Sequence, residues 1–88
     1  TLSLKKQISM IRYIRNNPFH FYVEASLKRL GNEAYDKDVR IHMAEALGWF
    51  NYSYRRDEIR TAMEKMLEKG GLPETVQREV CQTINRLK

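Results

Sequence analysis

Few side chains in this sequence carry obvious chemistry, and they do not converge. His20 and His42 fall on different predicted helices, so each reads as a surface or partly packed ring rather than as half of a metal or catalytic pair. Cys81 is the sole cysteine, which excludes an internal disulfide framework and a multi-cysteine zinc site. It flanks an apolar stripe and is expected to be a semi-buried, inert thiol. Glu64 and Glu68 sit one helical turn apart near Arg60 and Lys65, as on a solvated helix face. Gly70-Gly71 lacks the Lys-Ser/Thr that completes a phosphate-binding loop and reads as a turn. No catalytic residue, cofactor or metal is expected, and the chain does not read as an enzyme.

Recognition is the better prospect. One cluster holds Tyr13, Phe19, His20, Phe21 and Tyr22, bordered by Arg12 and Arg15; a second holds Trp49, Phe50, Tyr52 and Tyr54, bordered by Arg55 and Arg56. Rings beside guanidiniums can stack bases, grip peptide side chains or meet acidic partners. Packing accounts for part of the pattern, since Phe19 and Phe50 fit core stripes and tyrosines commonly cover helix ends with wet hydroxyls. The candidate contact residues are Arg12, Tyr22, Trp49, Tyr54, Arg55 and Arg56.

The elements that must hold these side chains are helices. Asn16-Asn17-Pro18, Gly31-Asn32, Asn51 with Ser53, and Gly70-Gly71 divide the sequence into five segments. Pro18 suits the first position of the second helix, Gly31 can close that helix in the left-handed conformation, Asp36 or Asp38 can cap the third, and Pro73-Glu74 opens the fifth. Each segment has a helical period: Leu4, Ile8, Ile11 and Ile14; Phe19, Val23, Ser26, Leu27 and Leu30; Val39, Met43, Ala46, Leu47 and Phe50; Ile59, Ala62, Met63, Met66 and Leu67; Val76, Val80, Thr83, Ile84 and Leu87. No stretch alternates long enough to be a strand, and the predicted class is all-α. With 88 residues there is room for one domain, spanning 1–88, with a thin core.

These stripes recur at a fixed interval. A shift of about 36 lays Val23, Ser26, Leu27 and Leu30 over Ile59, Ala62, Met63 and Met66; about 37 lays Val39, Met43, Leu47 and Phe50 over Val76, Val80, Ile84 and Leu87. Under this register the two aromatic clusters fall on equivalent turns and are expected to stack along one edge. The run Asp36-Lys37-Asp38-Val39-Arg40, followed by Met43-Ala44-Glu45-Ala46-Leu47-Gly48, resembles the first helix of a HEAT repeat. The last helix is similar but carries Gln77 where the arginine would stand, and the first keeps only the apolar spacing. The resemblance implies a short right-handed-type α-solenoid of about five antiparallel helices, or two and a half repeats. In such an array the acid caps its helix and can reach the arginine of an adjacent repeat. It also implies a protein-interaction or scaffold module without chemistry of its own.

The two ends of the array differ. Gln77, Arg78, Gln82, Asn85 and Arg86 give the fifth helix a solvated outer face, as a terminal repeat requires. Met10 and Tyr13 widen the apolar arc of the first helix, so that edge is expected to meet another repeat or domain. The sequence begins at Thr1 rather than at a methionine, and the expectation is the C-terminal part of a longer protein.

Sixteen basic against eleven acidic residues give a net charge of +5. The cations are scattered from Lys5 to Lys88 without a dense run, so nucleic-acid binding is an alternative and not the first reading. An accessory domain of a larger enzyme is the other. Lys5, Lys6, Arg12 and Arg15 beside apolar residues have the look of a membrane-surface helix, but a first array helix shows the same pattern. No run is long and apolar enough to span a membrane. The absence of a secretory segment favours the cytoplasm without fixing the compartment. The expected partner is a protein or peptide, or another domain of the same chain.

Overall fold

The computed structural model describes residues 3–88; Thr1 lies outside the described residues. Five α-helices and one 3-10 turn make up 72% of the described residues, which contain no strand. Helix α1 (Leu4–Asn16) starts where the Ser3 hydroxyl accepts the amide of Lys6, and it closes with the Asn17 amide on Tyr13 O. A single 3-10 turn, His20–Tyr22, leads into α2 (Val23–Leu30). Helix α3 (Lys37–Leu47) is capped by Asp36, whose carboxylate accepts from Asp38 N at 2.8 Å. Helices α4 (Arg56–Lys69) and α5 (Glu74–Arg86) are joined through Gly70 and Gly71, with φ of 80° and 85°, where a side chain would be strained.

Helix α3 is the centre of the fold and has neighbours on several sides. It packs against α1, α2 and α5, while α4 packs against α5 and α2. The smallest dimension, 17 Å, is about that of two stacked helix layers. The reason α3 can be so surrounded is in its residues. Val39, Met43, Ala44, Ala46 and Leu47 are all buried, and the two alanines let neighbouring helices come close. Gly48 extends this: a Cβ there would stand 3.2 Å from Arg86 Cδ, so only glycine admits the end of α5 without displacement.

Two buried hydrogen bonds tie neighbouring helices together, one between the rows and one within a row. Arg40 Nε–H donates to Leu30 O at 2.8 Å, satisfying a carbonyl that the last turn of α2 leaves without a helical partner. Thr83 Oγ1–H donates to Ala44 O at 2.7 Å, fixing α5 against α3. The ladder expected from an acid to an arginine of the adjacent repeat is not what Arg40 makes; its recorded bond is to the end of α2.

Other expectations are corrected by the backbone. Gly31 has φ −82° and ends α2 in right-handed geometry. Pro18 precedes an extended Phe19, so neither opens a helix, and the 3-10 turn takes the following residues. Phe19 is consequently half exposed rather than in the core, and Leu4 is exposed because the buried arc of α1 covers only Ile11 and Ile14. Cys81 is exposed, lying just outside the stripe of α5. Met10 and Tyr13 are left exposed by the described helices, as is the polar outer face of α5.

Candidate recognition edge formed by two turns

The edge is built from the connections α1–α2 and α3–α4. In the first, Pro18 cannot continue α1, Phe19 runs extended, and the Tyr22 amide returns to Phe19 O at 3.0 Å. In the second, the amides of Gly48, Trp49 and Phe50 each reach back three residues, tightening the end of α3. Phe50 is the anchor. It is 1% exposed, and with it fixed in the core its neighbours Trp49 and Tyr52 are turned to solvent. Ser53 then organises the entry to α4, its hydroxyl accepting from Arg55 N at 3.1 Å and its carbonyl from Arg56 N at 3.1 Å.

The two turns touch. Arg55 Nη1–H donates to His20 O at 3.1 Å, and the rings of His20 and Tyr54 lie 5.1 Å apart. Pro18, Phe19 and His20 from one turn, and Trp49, Tyr52 and Tyr54 from the other, line a shallow depression of about 280 Å³. Trp49 is 55% exposed, Tyr54 78% and Tyr52 97%. Beside the depression Phe19 stacks on Phe21 at 5.6 Å, and Phe21 meets Tyr22 at 4.5 Å.

Most of the nearby guanidiniums are already engaged. Arg15 pairs with Glu45 at 3.1 Å and lies 5.9 Å from the Trp49 ring centre. Arg55 makes a forked pair with Glu58, which raises the guanidinium's pKa and holds the Glu58 carboxyl below its ordinary range through the same hydrogen bonds. Arg56 reaches Asn51 O at 3.4 Å and has no carboxylate partner among the described residues. Among the described residues Arg12 has none either. It lines a separate polar depression with Arg15, His42 and Glu45.

Of the residues expected from the sequence, Trp49, Tyr54 and Arg55 therefore meet at the junction of the turns. Arg56 stands at its border on the first turn of α4, Tyr22 is half-buried behind the phenylalanines, and Arg12 lies apart on α1. Two residues outside that candidate set also belong to the edge. His20 supplies both a ring and the carbonyl that joins the turns; Arg15, one turn beyond Arg12, carries the contact from α1 to Trp49. The signal for Arg15 was its distance of one helical turn from Arg12, which places both on one face.

The described residues hold no group of three or more His, Cys, Asp or Glu side chains able to bind a metal ion. No described helix is long and apolar enough to cross a membrane. Comparison with protein-family models, with curated proteins and with solved structures finds no match to this chain.

Proposed function

We propose that this chain is a non-catalytic protein-interaction module, a short HEAT-like α-solenoid that binds its partner through the edge formed by its two equivalent turns. The observation that carries the reading is the convergence of exposed rings, Phe19, Trp49, Tyr52 and Tyr54, on one depression shared by both turns. Clustered aromatics at a surface supply much contact area for little lost side-chain entropy. The array reading draws support from the succession of α1, α3 and α5 as neighbours, with α2 and α4 packed together behind them. Binding of nucleic acid is the second reading, and the guanidiniums count against it. Arg15 and Arg55, which contact the ring-bearing residues of this edge, are held by Glu45 and Glu58, so neither is free there to displace counterions from phosphates.

Selection of random displayed peptides on the wild-type chain, with counter-selection on the double variant Trp49→Ala/Tyr54→Ala, tests the proposal. The expected result is a set of sequences that bind the wild type and lose affinity for the variant. Equal binding to both proteins would contradict it.

A further inference from the structure

The edge has chemical features that narrow its partner. The depression is lined by rings from both turns, with no carboxylate in its wall. Its volume of about 280 Å³ lies below the roughly 300–1,000 Å³ of enclosed small-molecule sites, which suits a chain segment lying across it. The donors at its rim are unused: the Trp49 indole N–H and the Tyr52 and Tyr54 hydroxyls make no hydrogen bond within the described chain. Bordering the depression, Arg56 carries a positive charge without a carboxylate partner among the described residues.

We propose that the edge recognises an extended, proline-rich peptide segment carrying acidic residues. A polyproline II segment has no internal hydrogen bonds, so its carbonyls are free to accept from indole and phenol donors, and its pyrrolidine rings fill aromatic clefts at low entropic cost. Acidic residues in the segment complement Arg56, the guanidinium at the border of the depression that has no carboxylate partner among the described residues. An oligonucleotide fits this edge less well, because Arg15 and Arg55, the cations that contact its ring-bearing residues, already have carboxylate partners.

This inference rests on the interaction-module reading, and the test separates the two. Trp49 is the only tryptophan and stands in the wall of the depression, so its fluorescence reports occupancy directly. The chain is titrated with a synthetic peptide of alternating glutamate and proline pairs, with the same peptide bearing alanine for proline, with its lysine-for-glutamate counterpart, and with a single-stranded thymidine oligonucleotide. The expected result is saturable change with the acidic proline peptide, at least about tenfold weaker binding of each altered peptide, and a similar loss in Tyr52→Ala, whose exposed ring plays no part in the core. Equal binding of the alanine peptide overturns the proline requirement while leaving the module reading intact. Equal binding of the lysine peptide overturns the acidic requirement. Tighter binding of the oligonucleotide, falling steeply with salt, overturns the proposal in favour of nucleic acid. No saturable change with any of the four overturns this proposal, and the display selection then decides the broader one.

Discussion

Arg40 on α3 and Leu30 at the end of α2 are joined by a buried hydrogen bond from Nε–H to the carbonyl, 2.8 Å long. An arginine is 4% exposed here because its stem runs through the core and its head meets a carbonyl that the helix end would otherwise leave unpaired. Replacement Arg40→Met keeps most of the stem and strands that carbonyl. The expected cost is about 1–3 kcal/mol, read as a lower urea midpoint with an unchanged slope. An unaltered midpoint would remove this bond from the account of how the layers hold together.

Two buried hydroxyls make a matched comparison. Thr83 Oγ1–H is bonded to Ala44 O, whereas Ser26 Oγ, equally buried, has no partner among the described residues. Thr83→Val should therefore lose about 1–2 kcal/mol. Ser26→Ala should be neutral or gain up to about 1 kcal/mol, since it removes an unpaired polar atom and adds a better helix former. Both shifts are measurable in one set of thermal melts.

Phe50 and Tyr52 are two residues apart and have opposite roles. Phe50→Ala empties a core position and should cost about 3–5 kcal/mol. Tyr52→Ala should change stability by less than about 0.5 kcal/mol, because the ring is in solvent. Circular dichroism of both variants under denaturant tests this division between anchor and contact surface.

The Glu58 carboxyl should titrate below an ordinary glutamate, because Arg55 hydrogen-bonds its ionised form. The folded value is depressed, so the pair's contribution to stability is present above the unfolded value and is lost as pH falls through the folded one. The group is exposed, so the effect is best seen in its own titration. Carboxyl carbon shifts by nuclear magnetic resonance should show the depression in the wild type and its disappearance in Arg55→Gln. An unmoved titration in that variant would detach Glu58 from Arg55.

Helix existence was legible because periodicity reports burial: every apolar stripe residue of α3 and α5 is inside. What the period could not report is where a stripe stops facing the core. Leu4 and Phe19 match the spacing, yet one precedes the buried part of α1 and the other sits in an extended residue before a 3-10 turn. The stacking of the two turns was legible from the repeat register, while the partners within it were not. Arg55 to His20 O is a contact to a backbone atom, which leaves no trace in residue type, and Arg40 to Leu30 O escaped the expectation of an arginine–acid ladder for the same reason. Cys81 is exposed although it follows the buried Val80, because consecutive helical residues point about 100° apart and the edge of the apolar stripe falls between them.

The central claim, that the joined turns are the recognition surface, is tested most directly by amide chemical-shift mapping with a peptide ligand from the display selection. Shifts concentrated in residues 17–22 and 48–55, with the Trp49 indole among the largest, are the predicted result. Shifts confined to the outer face of α5, or to the exposed Met10 and Tyr13 face of α1, would contradict it.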